Sequence, residues 1–125
     1  MLNIIRIEET DDSPFVLLDK ENNIIEMKGC SMMEDAHKFY EPIREWIIEY
    51  VKNPNDYNEF IFHLSYFNTS STKMISKILM EFNKLKDSHK PYKILWRHRP
   101  DDDYLKRKAR EFQVALNLPI ELEEF

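Results

Sequence analysis

The chain has one glycine in 125 residues, Gly29, and that scarcity excludes a class of function. Loops that cradle the phosphates of nucleotides and dinucleotides need several glycines within a few positions, so no binder of those types can be built here. A single cysteine, Cys30, has no partner for an intramolecular disulfide. With no apolar N-terminal segment either, the expected location is the cytoplasm. Apolar runs are only a few residues long, far short of the ~20 needed to span a bilayer, so no membrane partner is expected. A basic stripe is also missing. The formal charge is −5, and the Lys106 to Arg110 cluster falls in helical register behind Asp101–Asp103. Phosphate backbones demand clustered cations, so nucleic acid is not an expected partner.

What is present is enough for one independently folding domain over residues 1–125. A chain this long buries roughly two-thirds of the surface its unfolded form exposes, which removes the need for a disulfide or metal. Hydrophobic residues make up 42% and aromatics 13%, so a real core can form and global disorder is excluded.

The pattern along the chain is β-rich first and alternating afterwards. "NIIRI" (3–7), "PFVLLD" (14–19) and the apolar part of "ENNIIEMKG" (21–29) read as three strands, with a turn at Glu21–Asn23. From Asp35, apolar residues recur in three- and four-residue steps at Phe39, Ile43, Trp46, Ile47, Tyr50 and Val51, one face of an amphipathic helix. Pro42 falls inside it and predicts either a distinct first turn or a kink. "EFIFHLSYF" (59–67) is the most strand-like stretch. Strict alternation puts Phe60, Phe62, Leu64 and Tyr66 on one face and Ile61, His63, Ser65 and Phe67 on the other, as in a central strand covered by helices on at least one side. Met74, Ile75, Ile78, Leu79, Phe82 and Leu85 mark a second helix, closed off by Pro91. "YKILWRH" (92–98) is a further strand. Asp101–Asp103 can cap a third helix marked by Leu105, Phe112, Ala115 and Leu116, and "LPIELEEF" closes the chain as an edge strand. The expected architecture is α/β, a central mixed β-sheet with about three helices packed on it.

Chemistry-bearing residues are sparse. His37, His63, His89 and His98 lie far apart and Cys30 has no nearby thiol, so the paired spacing of a zinc site is missing and no metal or other cofactor is expected. Asp11–Asp12, Asp101–Asp103 and Glu121–Glu124 sit at turns, a helix start and the terminus, where solvated acids are ordinary and no nucleophile accompanies them. Most aromatics fall on the apolar faces already named. Tyr40 does not, and is the expected exposed aromatic.

One stretch stands out: "YFNTSSTKM" (66–74) sets Thr69, Ser70, Ser71 and Thr72 in a row at a strand-to-helix junction. The carboxyl ends of strands are where open α/β sheets collect function. Asn68 can serve as N-cap, leaving the hydroxyls in a first turn whose amides lack partners and whose dipole is positive. A phosphate there adds about 1.5–2 negative charges facing unpaired donors, so the site is permissive for phosphorylation. A hydroxyl-rich cap is the plain alternative, because serine and threonine are common at helix starts.

Two segments, "GCSMMEDAHKFYEPIREWIIEYVKNP" (29–54) and "FHLSYFNTSSTK" (62–73), resemble the SiaC-type regulatory phosphoproteins of bacteria. The shared features are Gly29 and Ser31, Glu34, Phe39–Tyr40, Pro42–Ile43, Trp46, Tyr50 and Asn53–Pro54, followed by the specific Tyr-Phe-Asn-Thr-Ser-Ser string. "SPFVLLD" and "LPIELEE" extend the resemblance over almost the whole chain. It implies a fold like the STAS domains of anti-sigma-factor antagonists and a protein that is not an enzyme. It implies a substrate of a partner Ser/Thr protein kinase and of a metal-dependent Ser/Thr phosphatase. The unphosphorylated form would bind a target, a diguanylate cyclase in the best-known system, with cyclic-di-GMP and biofilm or aggregation as output. The family's phosphoacceptor maps to Thr69. Tyr40, Tyr66, Asn68, Ser70 and Ser71 complete the expected partner-binding set with Thr69. The competing expectation is a constitutive STAS-like scaffold or small-molecule-binding domain without a phosphoswitch.

Overall fold

The computed structural model describes residues 2–125. Three strands come first: β1 (Ile5–Ile7), β2 (Phe15–Asp19) and β3 (Ile24–Ser31), paired antiparallel in chain order. Asn23 makes the β2–β3 turn possible by taking a left-handed φ of 57°, a conformation asparagine tolerates better than most side chains. Asp19 holds that turn, accepting from the Asn22 backbone at 3.2 Å and from its side-chain amide at 2.7 Å.

From β3 onward the chain alternates. α1 (Ala36–Lys52) leads to β4 (Asn58–Phe67), α2 (Thr69–Glu81) and a 3-10 helix (Phe82–Ser88) lead to β5 (Tyr92–His98), and α3 (Asp103–Leu116) leads to β6 (Ile120–Glu124). β3 to β6 are parallel, and the six-stranded sheet runs β1-β2-β3-β4-β5-β6. Each crossover steps one strand in the same direction, and connections of this kind share one hand. The helices therefore all pack on one face. That face carries Val16, Leu18, Ile25, Met27, Phe60, Phe62, Leu64, Ile94, Trp96 and Ile120, in one cluster with the buried residues of all three helices. Phe62 and Trp96 stack at its centre, 4.7 Å apart and 7° from parallel.

The other face is covered by charge instead of a second layer. Lys93 lies between Glu59 (3.8 Å) and Glu121 (3.6 Å), and Arg97 pairs with Glu123 at 3.0 Å. The half-buried Ile61 and the buried Leu95 pair across the β4–β5 ladder between these charged positions. The apolar residues expected on both faces of β4 thus meet helices on one side only.

Pro42 neither breaks α1 nor ends it; the helix is continuous from Ala36 to Lys52. Its side chain is exposed, so the carbonyl that loses its partner can turn to water. Ala115, expected on the buried face of α3, is exposed, and Ala109 occupies the core in its place. No helix among the described residues is long and apolar enough to cross a membrane.

Candidate functional site

The hydroxyl run lies where β4 ends and α2 begins, and a β-bulge sets its geometry. In the β3–β4 ladder Gly29 pairs with Leu64 while Cys30 pairs with Tyr66, leaving Ser65 as an extra residue. A bulge of this kind re-aims the side chains that follow. Tyr66, expected beside Phe60, Phe62 and Leu64, turns outward and is 43% exposed. Phe67, expected on the opposite face, turns into the core, fully buried against Trp96 and Phe112. Gly29 meets the same irregularity with a φ of 121°, a backbone state side chains rarely adopt.

Asn68 caps α2. Its Oδ1 accepts from the Ser71 backbone amide at 2.9 Å, and its Nδ2 donates to the Met33 carbonyl at 3.2 Å. Its backbone amide donates to the Ser31 carbonyl at 3.0 Å, which ties the cap to the end of β3. The hydroxyls that follow are unequal. Ser70 is half-buried, its Oγ at 3.3 Å from Asn68 Oδ1 and 3.4 Å from the Met33 carbonyl. Ser71 is fully buried; it accepts from Ser31 Oγ at 2.7 Å and donates to the Ser31 carbonyl at 3.2 Å. Thr72 donates to the Asn68 carbonyl at 2.9 Å. Thr69 is exposed and its hydroxyl bonds to no other described residue.

Tyr40 corrects the sequence expectation. It is fully buried, with its hydroxyl 2.6 Å from Ser31 Oγ. With Tyr40 donating to Ser31, Ser31 to Ser71 and Ser71 to the Ser31 carbonyl, every hydroxyl in this chain of contacts is satisfied. Burial pushes the Tyr40 phenol well above its ordinary range, so the proton stays on. The steps Ala36, Tyr40, Ile43, Ile47 and Tyr50 are the truer helical stripe, and Phe39 flanks it. Tyr40 and Ser71 were both expected to touch a partner. In this structure they instead lock α1 and α2 to the end of β3, while Tyr66, Thr69 and parts of Asn68 and Ser70 reach the surface.

The parallel crossovers bring other residues to the same edge that periodicity did not single out. Tyr104, in the first turn of α3, stacks on Tyr66 with ring centroids 6.0 Å apart, and Arg107 and Lys108 lie 5.9 and 5.7 Å from its ring. Met32, just past β3, is 47% exposed. A cleft of about 530 Å³ separates the start of α1 from α2; Glu34, Asp35 and His37 line one side, and Thr69, Lys73 and Lys77 the other. The signal available for these was topological: in parallel β-α-β units, strand ends and the next helix starts gather at one rim.

An exposed, uncommitted hydroxyl on the first residue of a capped helix, in a turn without acidic side chains, can accept a phosphoryl group without breaking a structural bond. Comparison with known proteins identifies the family and the fold. The model of the SiaC family of regulatory phosphoproteins matches residues 7–125. An uncharacterised protein of Pseudomonas aeruginosa (strain UCBPP-PA14) is 21% identical over 119 residues, covering 95% of this chain and 94% of its own. Among solved structures, apo-SiaC of Pseudomonas aeruginosa superposes with a TM-score of 0.86 at 21% identity, covering 97% of this chain and 98% of its own. SiaC in complex with the diguanylate cyclase SiaD, of which it is the activator, gives 0.88 at 21% identity, covering 97% and 99%. The family model spans nearly the whole chain, and the chain belongs to the SiaC family of regulatory phosphoproteins.

Proposed function

We propose that this protein is a non-enzymatic regulator switched by phosphorylation of Thr69. One observation carries the reading: of the polar side chains from Asn68 to Thr72, only Thr69 is both exposed and free of hydrogen bonds. A kinase reaches it directly, whereas Ser71 is sealed in the core and Ser70 is held against Asn68 and the Met33 carbonyl.

The unmodified surface around Thr69, with Tyr66 and Asn68, docks the target. The relative that activates SiaD supports a diguanylate cyclase as the target class, with cyclic-di-GMP and biofilm or aggregation as output. A Ser/Thr kinase and a metal-dependent Ser/Thr phosphatase set the modified fraction in the cytoplasm. Phosphate at Thr69 puts about two charges where the partner must desolvate the surface, and this lowers affinity.

Mass spectrometry after incubation with the cognate kinase is expected to place the phosphate on Thr69. Modification confined to another residue, such as Ser13 or Ser88, would reject the assignment. In a pull-down, Thr69→Ala should retain the target and Thr69→Asp should bind it more weakly. Equal retention by both would favour a constitutive scaffold in which the hydroxyl run is only a cap.

A further inference from the structure

The cleft between α1 and α2 has one acidic wall and one basic wall, and the basic wall continues from the acceptor. Thr69, Lys73 and Lys77 are four residues apart along α2, so they stack on one helix face. All three are exposed and line the same cleft. Neither lysine makes an ion pair with another described residue, although many of the chain's other cations do. Glu34, Asp35 and His37 stand on the opposite wall; Asp35 is already committed to capping α1 through the Lys38 amide at 3.1 Å, and His37 lies 3.7 Å from Glu41.

We propose that Lys73, supported by Lys77, is an intramolecular clamp for the phosphate on Thr69. The inference rests on the reading of Thr69 as acceptor and adds what the modified state looks like. Side chains at i and i+4 on a helix are neighbours, and a lysine stem lets its ammonium reach a phosphate on the adjacent turn. The phosphate is drawn along α2 over the cleft, away from the Glu34 and Asp35 carboxylates that repel it, and it neutralises the basic wall. The switch therefore acts twice: it adds charge at Thr69 and withdraws two cations from the surface a partner reads.

The test installs phosphothreonine at position 69 by site-specific incorporation, so it does not depend on any kinase, and follows the phosphate by phosphorus-31 NMR as pH is varied. The second ionisation of the phosphate is expected to fall roughly half a unit below that of a phosphothreonine peptide, because nearby cations favour the dianion. Most of that difference should vanish in K73M/K77M and at 1 M salt, where screening is nearly complete. The charge-matched control K20M/K84M should titrate like the wild-type phosphoprotein. Peptide-like titration of the wild-type phosphoprotein would overturn the clamp, and so would a depression that survives K73M/K77M, which would belong to the helix end or to His37 across the cleft. Failure of kinase mapping at Thr69 would reject the acceptor assignment without altering this titration.

Discussion

Removing the Ser31 hydroxyl should cost more than removing either group it serves. Ser31 Oγ lies 2.6 Å from the Tyr40 hydroxyl and 2.7 Å from Ser71 Oγ, and all three residues are fully buried. Tyr40→Phe deletes one donor and leaves Ser31 bonded to Ser71, a loss of about 1 kcal/mol, the net worth of an ordinary hydrogen bond. Ser31→Ala leaves the Tyr40 hydroxyl in the core with no partner, while Ser71 keeps the Ser31 carbonyl at 3.2 Å. An orphaned buried hydroxyl costs about 1–3 kcal/mol, so roughly 2–3 kcal/mol is expected for Ser31→Ala. In Ser31→Ala/Tyr40→Phe the orphan is gone, and the double variant should be no less stable than Ser31→Ala alone. The two effects then fail to add by about 1 kcal/mol or more, as contacting partners do. Urea unfolding of the four proteins reads the cycle, with unchanged slopes confirming that only stability moved. Simple additivity, or a Ser31→Ala loss below about 0.5 kcal/mol, would refute the network and with it the account of what holds the start of α2 in place.

Three further perturbations probe the same edge. Asn68→Ala should cost about 1–2 kcal/mol by loss of the cap, seen as a lower urea midpoint and faster amide exchange at Ser71; unchanged exchange there would contradict the capping role. Gly29→Ala should lose about 1–3 kcal/mol through its left-handed backbone, and adding Glu9→Ala to clear the side chain nearest the new methyl should not restore it. His63 has its pKa lowered, first by burial and then by Lys28 and Arg97. The unfolded chain therefore takes up a proton near pH 6.5 that the folded one refuses, so stability is full above that pH and falls as pH drops toward the folded pKa. His63→Gln should flatten this acid limb; an unchanged limb would show that His63 is not its source.

Much of the fold was legible because it rests on periodicity. The β2–β3 turn at Glu21–Asn23, the Met74–Leu85 stripe and the capping role of Asp101–Asp103 all follow from local pattern, and Asp102 does cap α3, its Oδ1 accepting from Leu105 at 3.0 Å. The residues that resisted were those whose environment is set by contacts distant in sequence. Strict alternation misplaced Tyr66 and Phe67 because the bulge at Ser65 is a property of the β3 pairing. Tyr40 looked exposed when the α1 stripe was anchored on Phe39, and only the ends of β3 and α2 supply the serines that let a phenol be buried. Within the hydroxyl run, composition could not rank four similar side chains. The ranking comes from Ser31, Met33 and Asn68, which bond to Ser70 and Ser71 and leave Thr69 alone.

In the proposed switch, the state of Thr69 decides whether the surface can bind. Its most direct test is isothermal titration of the proposed target, a diguanylate cyclase, with unmodified protein and with protein carrying phosphothreonine at position 69. Binding by the unmodified form and at least about a tenfold loss on phosphorylation, about 1.4 kcal/mol, are expected. Equal affinities for the two forms would contradict the switch.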